Sequence, residues 1–353
     1  MVNLKVKISK LTLPNPVLVA SGTFGHAREF EKFIDLKKLG GVVTKTITLK
    51  PRFGNPPVRI VETPSGMINA IGLQNPGVEK FIEEKLPYLR KLKIPILVSI
   101  MGYRIEELVA LVKRLEKAGG FDGYELNLSC PNVPYAANAV GDAGGESPIL
   151  FKENHLKKIE SRSPSTPLGM VSEVEPRQDP QSSVRMFAHD ENLIREAVLC
   201  VRKYTSKVLI AKLGPDVSDV GKMARAAEKA GADAVSLINT FIAMVIDVET
   251  RRPVLANKTG GLSGPCIKPI AVRMVWETAK AVKIPVIGIG GIMNAHDALE
   301  FLIAGASAIQ VGTANFMNPQ ASIEILDGLK DFMRKNKIDS VSSLIGSLKE
   351  GPA

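Results

Sequence analysis

Two lysines stand where a lysine is expensive. Lys45 ends the apolar run Val42-Val43-Thr44-Lys45, and Lys212 lies in Val208-Leu209-Ile210-Ala211-Lys212-Leu213. An ammonium at the end of a buried strand is costly unless it meets an anion, or unless its stem snorkels the charge to water. A third polar group follows another strand-like run, in Asn127-Leu128-Ser129-Cys130-Pro131-Asn132. The proline ends the strand, and each asparagine can both donate and accept. A thiol with a reference pKa of about 8.5 can work as a base once positioned and modestly tuned. Free cysteine is also a common small core residue. That is the better reading for Cys200, on a helix, and for Cys266, after Gly264-Pro265.

Glycine clusters supply a second kind of chemistry. Gly288-Ile289-Gly290-Gly291-Ile292 and Val311-Gly312-Thr313-Ala314 each close a short apolar run. Glycines at two successive strand ends, with a helix start behind them, offer backbone N–H groups that no side chain blocks, which suits a phosphate. Gly260-Gly261-Leu262-Ser263-Gly264 adds another such loop. Each cluster alone is a tight turn; together they point to a phosphorylated ligand.

The elements that must carry these residues repeat one grammar of amphipathic helix, small-residue turn and short apolar strand. Ile105, Leu108, Val109, Val112 and Leu115 fall at helical spacing over 104–118, and Gly119-Gly120 end that helix. The pattern recurs over 220–230 before Gly231 and over 295–304 before Gly305; a further helix is predicted over 191–204. Strands are predicted over 17–20, 42–45, 96–100, 124–128, 208–213, 234–238, 286–289 and 308–311. Strands that alternate with helices in this way predict one (β/α)8 barrel, a TIM barrel spanning 1–353, with its active site at the C-terminal strand ends. An open doubly wound sheet is the runner-up, but no GxGxxG follows the first strand. The stretch 136–184 breaks the grammar. It lacks sustained periodicity and holds Ser161-Arg162-Ser163-Pro164, so it is expected to be an inserted, mobile loop.

Composition narrows the function. A chain of 353 residues, 45% hydrophobic, can bury a large core. Its 46 basic and 36 acidic residues give a charge of +10, but aromatics are only 5% and no nucleic-acid module is visible. The charge therefore suits anionic small molecules or an acidic protein partner rather than nucleic acid. Three cysteines without CxxC spacing and four histidines without HExxH argue against a disulfide framework, a metal site or an iron–sulfur cluster in this chain. No run reaches the ~18 apolar residues of a membrane span, and the N-terminus lacks a signal pattern, so a cytoplasmic location is expected.

These residues resemble the dihydroorotate dehydrogenases. The likeness covers 4 to about 134 and 186 to about 332. It is carried by Ala20-Ser21-Gly22-Thr23-Phe24, Lys45-Thr46-Ile47-Thr48, Asn69-Ala70-Ile71-Gly72-Leu73-Gln74-Asn75, the 127–132 motif, Ile238-Asn239-Thr240 and the glycine loops. Cysteine rather than serine in the motif is similar to class 1. Thr259-Gly260-Gly261-Leu262-Ser263-Gly264-Pro265, with Ile246-Asp247 and Arg251-Arg252-Pro253 before it, resembles the NAD-linked class 1B catalytic subunit.

The resemblance implies oxidation of dihydroorotate to orotate in pyrimidine biosynthesis. Hydride would pass to FMN while Cys130 removes the neighbouring proton. It implies substrate contacts from Lys45, Asn69, Ile71, Gly72, Leu73, Asn127, Asn132, Asn239 and Thr240. It implies an FMN shell of Ala20, Ser21, Gly22, Lys45, Thr46, Ser99, Asn127, Lys212, Ile238, Gly264, Gly290, Gly291, Gly312 and Thr313. It further implies a partner subunit carrying FAD and an iron–sulfur cluster, with a homodimer of this chain inside a heterotetramer. The family's loop after the cysteine is much shorter than the 136–184 stretch found here. Three alternatives remain: the fumarate-linked class 1A type, a relative of the uracil-reducing dihydropyrimidine dehydrogenases, and an FMN-binding barrel that the insertion has disabled.

Overall fold

Eight short apolar runs become eight parallel strands that close on themselves. The computed structural model describes residues 2–129 and 189–351. The strands are β1 (Val17–Val19), β2 (Gly41–Val43), β3 (Ile96–Ile100), β4 (Gly123–Asn127), β5 (Val208–Lys212), β6 (Ala234–Leu237), β7 (Val286–Ile289) and β8 (Ala308–Val311). Each pairs with its sequence neighbours, and β8 pairs with β1, so the barrel is closed. This is the (β/α)8 barrel that the sequence predicts. Every residue of β3, β4 and β5 is buried. Helices cover the outside of such a sheet and side chains fill its inside, which is why its strands read as unbroken apolar runs.

The covering helices are α1 (Leu86–Leu92), α2 (Ile105–Ala118), α3 (Glu191–Arg202), α4 (Val220–Lys229), α5 (Lys268–Ala281), α6 (Ala295–Ala304) and α7 (Ala321–Lys335). In α2 the buried stripe is Ile105, Leu108, Leu111, Val112 and Leu115, and the helix stops at Gly119, with φ 60. Asp190 caps α3 and Asp219 caps α4 through their side chains, while Asn294 and Asp297 form a capping box on α6. After β1 the chain makes only two 3-10 turns, Arg28–Phe30 and Leu36–Lys38. An antiparallel hairpin, Val6–Ile8 with Leu11–Leu13, sits at the N-terminal end of the strands, where Ser9 Oγ donates to Asp233 Oδ1 at 3.1 Å just before β6.

Long excursions after β2 and β6 meet at the opposite end. They build a four-stranded antiparallel sheet in the spatial order Ile60–Thr63, Gly66–Asn69, Gly260–Ser263, Phe241–Ala243. This rim sheet is not evident from the sequence. Its strands are three or four residues long and rich in glycine, and their pairing is set by tertiary contacts.

The described residues belong to one compact unit; the other unit, residues 134–185, lies outside them. Cys130, Asn132 and the stretch 136–184 also lie outside the described residues. No helix among the described residues is long and apolar enough to cross a membrane.

Candidate active site

A cavity of about 360 Å³ opens at the C-terminal ends of the strands, beside the rim sheet. Its size falls within the range of small-molecule and cofactor sites. Ala20, Ser21 and Gly22 reach it from the end of β1, and Lys45 and Thr46 from the end of β2. Asn69, Ile71, Gly72 and Leu73 come from the excursion after β2. Asn127 closes β4, Lys212 closes β5, and Ile238, Asn239 and Thr240 follow β6. Gly264 comes from the turn after the rim strand, Gly290 and Gly291 follow β7, and Gly312 and Thr313 follow β8. Ser99 is fully buried on β3 and is not among the lining residues; it supports Thr46 from behind.

Thr46 is a hub. Its Oγ1 lies 3.0 Å from Ser21 Oγ and 2.9 Å from Ser99 Oγ, and it accepts from Asn127 Nδ2 at 3.2 Å. One hydroxyl has one proton and two lone pairs, so these three partners use its whole capacity and fix its rotamer. Asn239 Nδ2 reaches the Ser129 carbonyl at 2.9 Å, Ser129 Oγ at 3.1 Å and Asn127 Oδ1 at 3.4 Å, while its Oδ1 accepts from Thr240 N–H. The ends of β2, β4 and β6 are thus held together by polar side chains that also face the cavity.

The glycines have two different reasons to be glycine. Gly290, Gly291 and Gly264 hold φ of 124, 74 and 103, a region that side chains rarely adopt. A Cβ on Gly291 would stand 2.7 Å from Lys268 Cβ. Gly312 has no such φ. A Cβ there would meet only Ala20 Cβ, at 3.6 Å, and Thr23 Cγ2, at 3.8 Å, so it would project among the cavity's own lining. Among the described residues, no turn or loop carbonyl accepts from the N–H of Gly291 or Gly312. Small, open and rich in free donors, this end of the cavity fits a phosphate group.

Across the cavity, Gly72 and Leu73 also have positive φ, 75 and 59, which turns the backbone of 71–73 sharply. Asn55 fills the space where a Gly72 side chain would stand, 2.6 Å from the ideal Cβ, and donates to the Ala70 carbonyl at 2.9 Å. Behind Lys45, whose N–H donates to Gly25 O, the buried His26 imidazole is pushed down to about 4 by desolvation, with Glu29 opposing and Lys85 and Lys45 assisting.

A family model described as dihydroorotate dehydrogenase matches residues 3–333. The chain belongs to this family. Similar relatives are named as the catalytic subunit of dihydroorotate dehydrogenase B (NAD(+)). The one from Geotalea daltonii is 47% identical over 347 residues, covering 98% of each chain. That from Thermodesulfovibrio yellowstonii is also 47% identical, over 98% of this chain and 99% of its own. A Thermoanaerobacter relative is 46% identical with the same coverage.

Reading the sequence assigns no site role to Arg59, Gln74, Met67, Ser263 or Phe316, which also line the cavity. Arg59 is the most consequential. Its guanidinium donates to Gln74 Oε1 at 2.8 Å and to the Asn55 carbonyl at 3.3 Å, both neutral acceptors. It enters only through the rim excursion, so no barrel-strand pattern marks it. His296, Asp297 and Glu300 lie close enough to suggest a metal site. Lys268 Nζ instead bonds both carboxylates, at 2.7 and 2.6 Å, and stands where a cation would.

Proposed function

We propose that this chain is the catalytic subunit of an NAD-linked dihydroorotate dehydrogenase, oxidising dihydroorotate to orotate with FMN as its flavin. The observation that carries the reading is one cavity with a glycine cradle at one end and Lys45, Asn69, Asn127 and Asn239 on its walls. Amides that both donate and accept match the alternating N–H and C=O edge of a pyrimidine dione, and a lysine suits its carboxylate.

Bound here, FMN would supply the hydride acceptor. The chain's own residues do the rest. Gly290, Gly291, Gly312 and Thr313 would hold the phosphate, and Ala20, Ser21, Gly22, Thr46, Ile238 and Gly264 the remainder of the cofactor. Lys45 and Lys212 would supply positive charge where negative charge develops. Asn69, Asn127, Asn132, Asn239, Thr240 and the backbone of 71–73 would orient the ring. Cys130 would take the proton from the carbon next to the one that loses hydride. It directly follows Ser129 in the sequence, and the Ser129 carbonyl and hydroxyl are both bound by Asn239.

The same reading assigns a partner subunit with FAD and an iron–sulfur cluster, a homodimer of this chain within a heterotetramer, and a cytoplasmic location. It treats 136–184 as an insertion that the barrel does not need, because all eight strands and their pairings come from residues on either side. Anaerobic mixing of the purified holo-protein with dihydroorotate tests the reading. Bleaching of an FMN absorbance with formation of orotate is expected. FAD, no flavin at all, or a flavin that dihydroorotate leaves oxidised would overturn it.

A further inference from the structure

The layer of barrel core directly beneath the cavity is polar. Glu125 on β4, Ser236 on β6 and Gln310 on β8 are each fully buried. They come from alternate strands, as one filled layer of a barrel does. Gln310 Nε2 donates to Glu125 Oε2 at 2.6 Å from across the barrel, and Ser236 Oγ donates to the same oxygen at 3.1 Å. The other oxygen, Oε1, has no hydrogen-bond donor among the described residues. It lies 3.8 Å from Lys212 Nζ. Lys212 sits in register with Asn127 on one side and Ser236 on the other, is 5% exposed, and lines the cavity. Glu125 does not line it. Its carboxylate is therefore oriented: one oxygen is saturated by the core, and the other is kept for the ammonium above.

We infer that Glu125 is a positioning residue that holds Lys212 and sets the net charge beneath the flavin. The inference rests on the reading that the cavity binds FMN. A buried lysine without a counter-charge is strongly unfavourable, and Glu125 supplies that counter-charge from a layer no ligand reaches. The same carboxylate offsets part of the attraction that Lys212 exerts on negative charge in the cavity, because charges in a dry interior are weakly screened. Reduction of the flavin adds negative charge there. Glu125 thus makes reduced FMN less stable than Lys212 alone would, and helps the flavin release its electrons.

The test is the FMN midpoint potential of purified holo-protein, read against a reference dye. Glu125→Gln keeps the shape and removes the charge. It is expected to shift the equilibrium about tenfold toward reduced FMN, roughly 30 mV for a two-electron couple. A purely structural role lowers the melting temperature and leaves the potential where it was, so an unchanged or lowered potential overturns the inference. Should Glu125→Gln fail to fold, Lys212→Met and the double variant decide, since the double removes both charges and leaves no buried ion. Lys212→Met is expected to lower the potential or weaken FMN binding, and adding Glu125→Gln to reverse at least half of that change. A double variant indistinguishable from Lys212→Met overturns the inference. Wild-type protein that purifies without FMN and binds none when it is added fails the underlying reading instead, which separates the two.

Discussion

Asn239 Nδ2 donates to the Ser129 carbonyl at 2.9 Å, tying the chain after β6 to the end of β4. The residue after Ser129 is Cys130, so this bond fixes the strand end from which the proposed base departs. Cys130→Ala is expected to keep its FMN and to lose at least about 100-fold in the rate of flavin reduction by dihydroorotate, the usual scale for a general base. Stopped-flow absorbance measures it. Reduction at the wild-type rate would remove Cys130 from the mechanism.

Two glycines of the cradle separate binding from folding. Gly312→Ala places a methyl group among the lining with no contact closer than 3.6 Å, at a φ that alanine tolerates. It is expected to weaken FMN affinity while leaving the apo-protein's melting temperature unchanged. Gly291→Ala forces a φ of 74 and a 2.7 Å approach to Lys268 Cβ, so it should lower that melting temperature as well. Equal effects of the two on folding would contradict the assignment.

Arg59 lines the cavity, and both of its hydrogen-bond acceptors are neutral. An anionic substrate is the natural complement of that charge. Arg59→Ala is expected to raise the KM for dihydroorotate about tenfold, the low end for loss of a charged hydrogen bond, with little change in kcat. Arg59→Lys should recover part of the loss, and high salt should weaken binding to the wild type more than to the alanine variant. A KM that does not move would exclude the role.

Stability should depend on His26 at mildly acid pH. Its folded pKa of about 4 lies below the usual 6.5, so between these values the unfolded chain holds the extra proton. The contribution of neutral His26 is complete above the higher value and is lost as pH falls through it toward the lower. The loss between pH 7.5 and pH 5 should be on the order of 2 kcal/mol from this group. Urea denaturation at the two pH values, compared with His26→Leu, measures it; the variant should show the shallower dependence, and identical slopes would refute the assignment.

The isolated chain is expected to pass electrons to an artificial dye but not to NAD, and to reduce NAD once the partner subunit is added. Fast NAD reduction by the isolated chain would argue against the partner. A preference for fumarate would move the protein to the other class 1 type.

The barrel is legible in the sequence because its strands are short continuous apolar runs that alternate with helices of clear period. The predicted strands differ from the observed ones only at their ends: Ala20, Thr44, Lys45, Leu128, Leu213 and Ile238 lie beyond the observed strand ends, and two strands begin one residue earlier, at Gly41 and Gly123. Lys45 and Lys212 are visible as charges in apolar surroundings, and the glycine clusters by their place after β7 and β8. Ser99 shows the limit of such reading, because the sequence cannot say that Thr46 stands between it and the cavity. Met67 and Ser263, with Arg59 just before the first rim strand, show another: they reach the site with a sheet whose strands carry no periodic signal and in part pair far from one another along the chain.

That rim sheet also bears on how the protein comes to be complete. Gly261 pairs with Asn69 and Leu262 with Ile68, so nearly two hundred residues separate partners in a ladder only three or four residues long. Closing so large a loop for so few bonds is entropically unfavourable until the barrel has already brought the ends together. The walls that carry Asn69 and Arg59 should therefore be the last part to form during folding. Amide hydrogen exchange should find them the first to open, so that the newly made chain has a finished floor before it has a site.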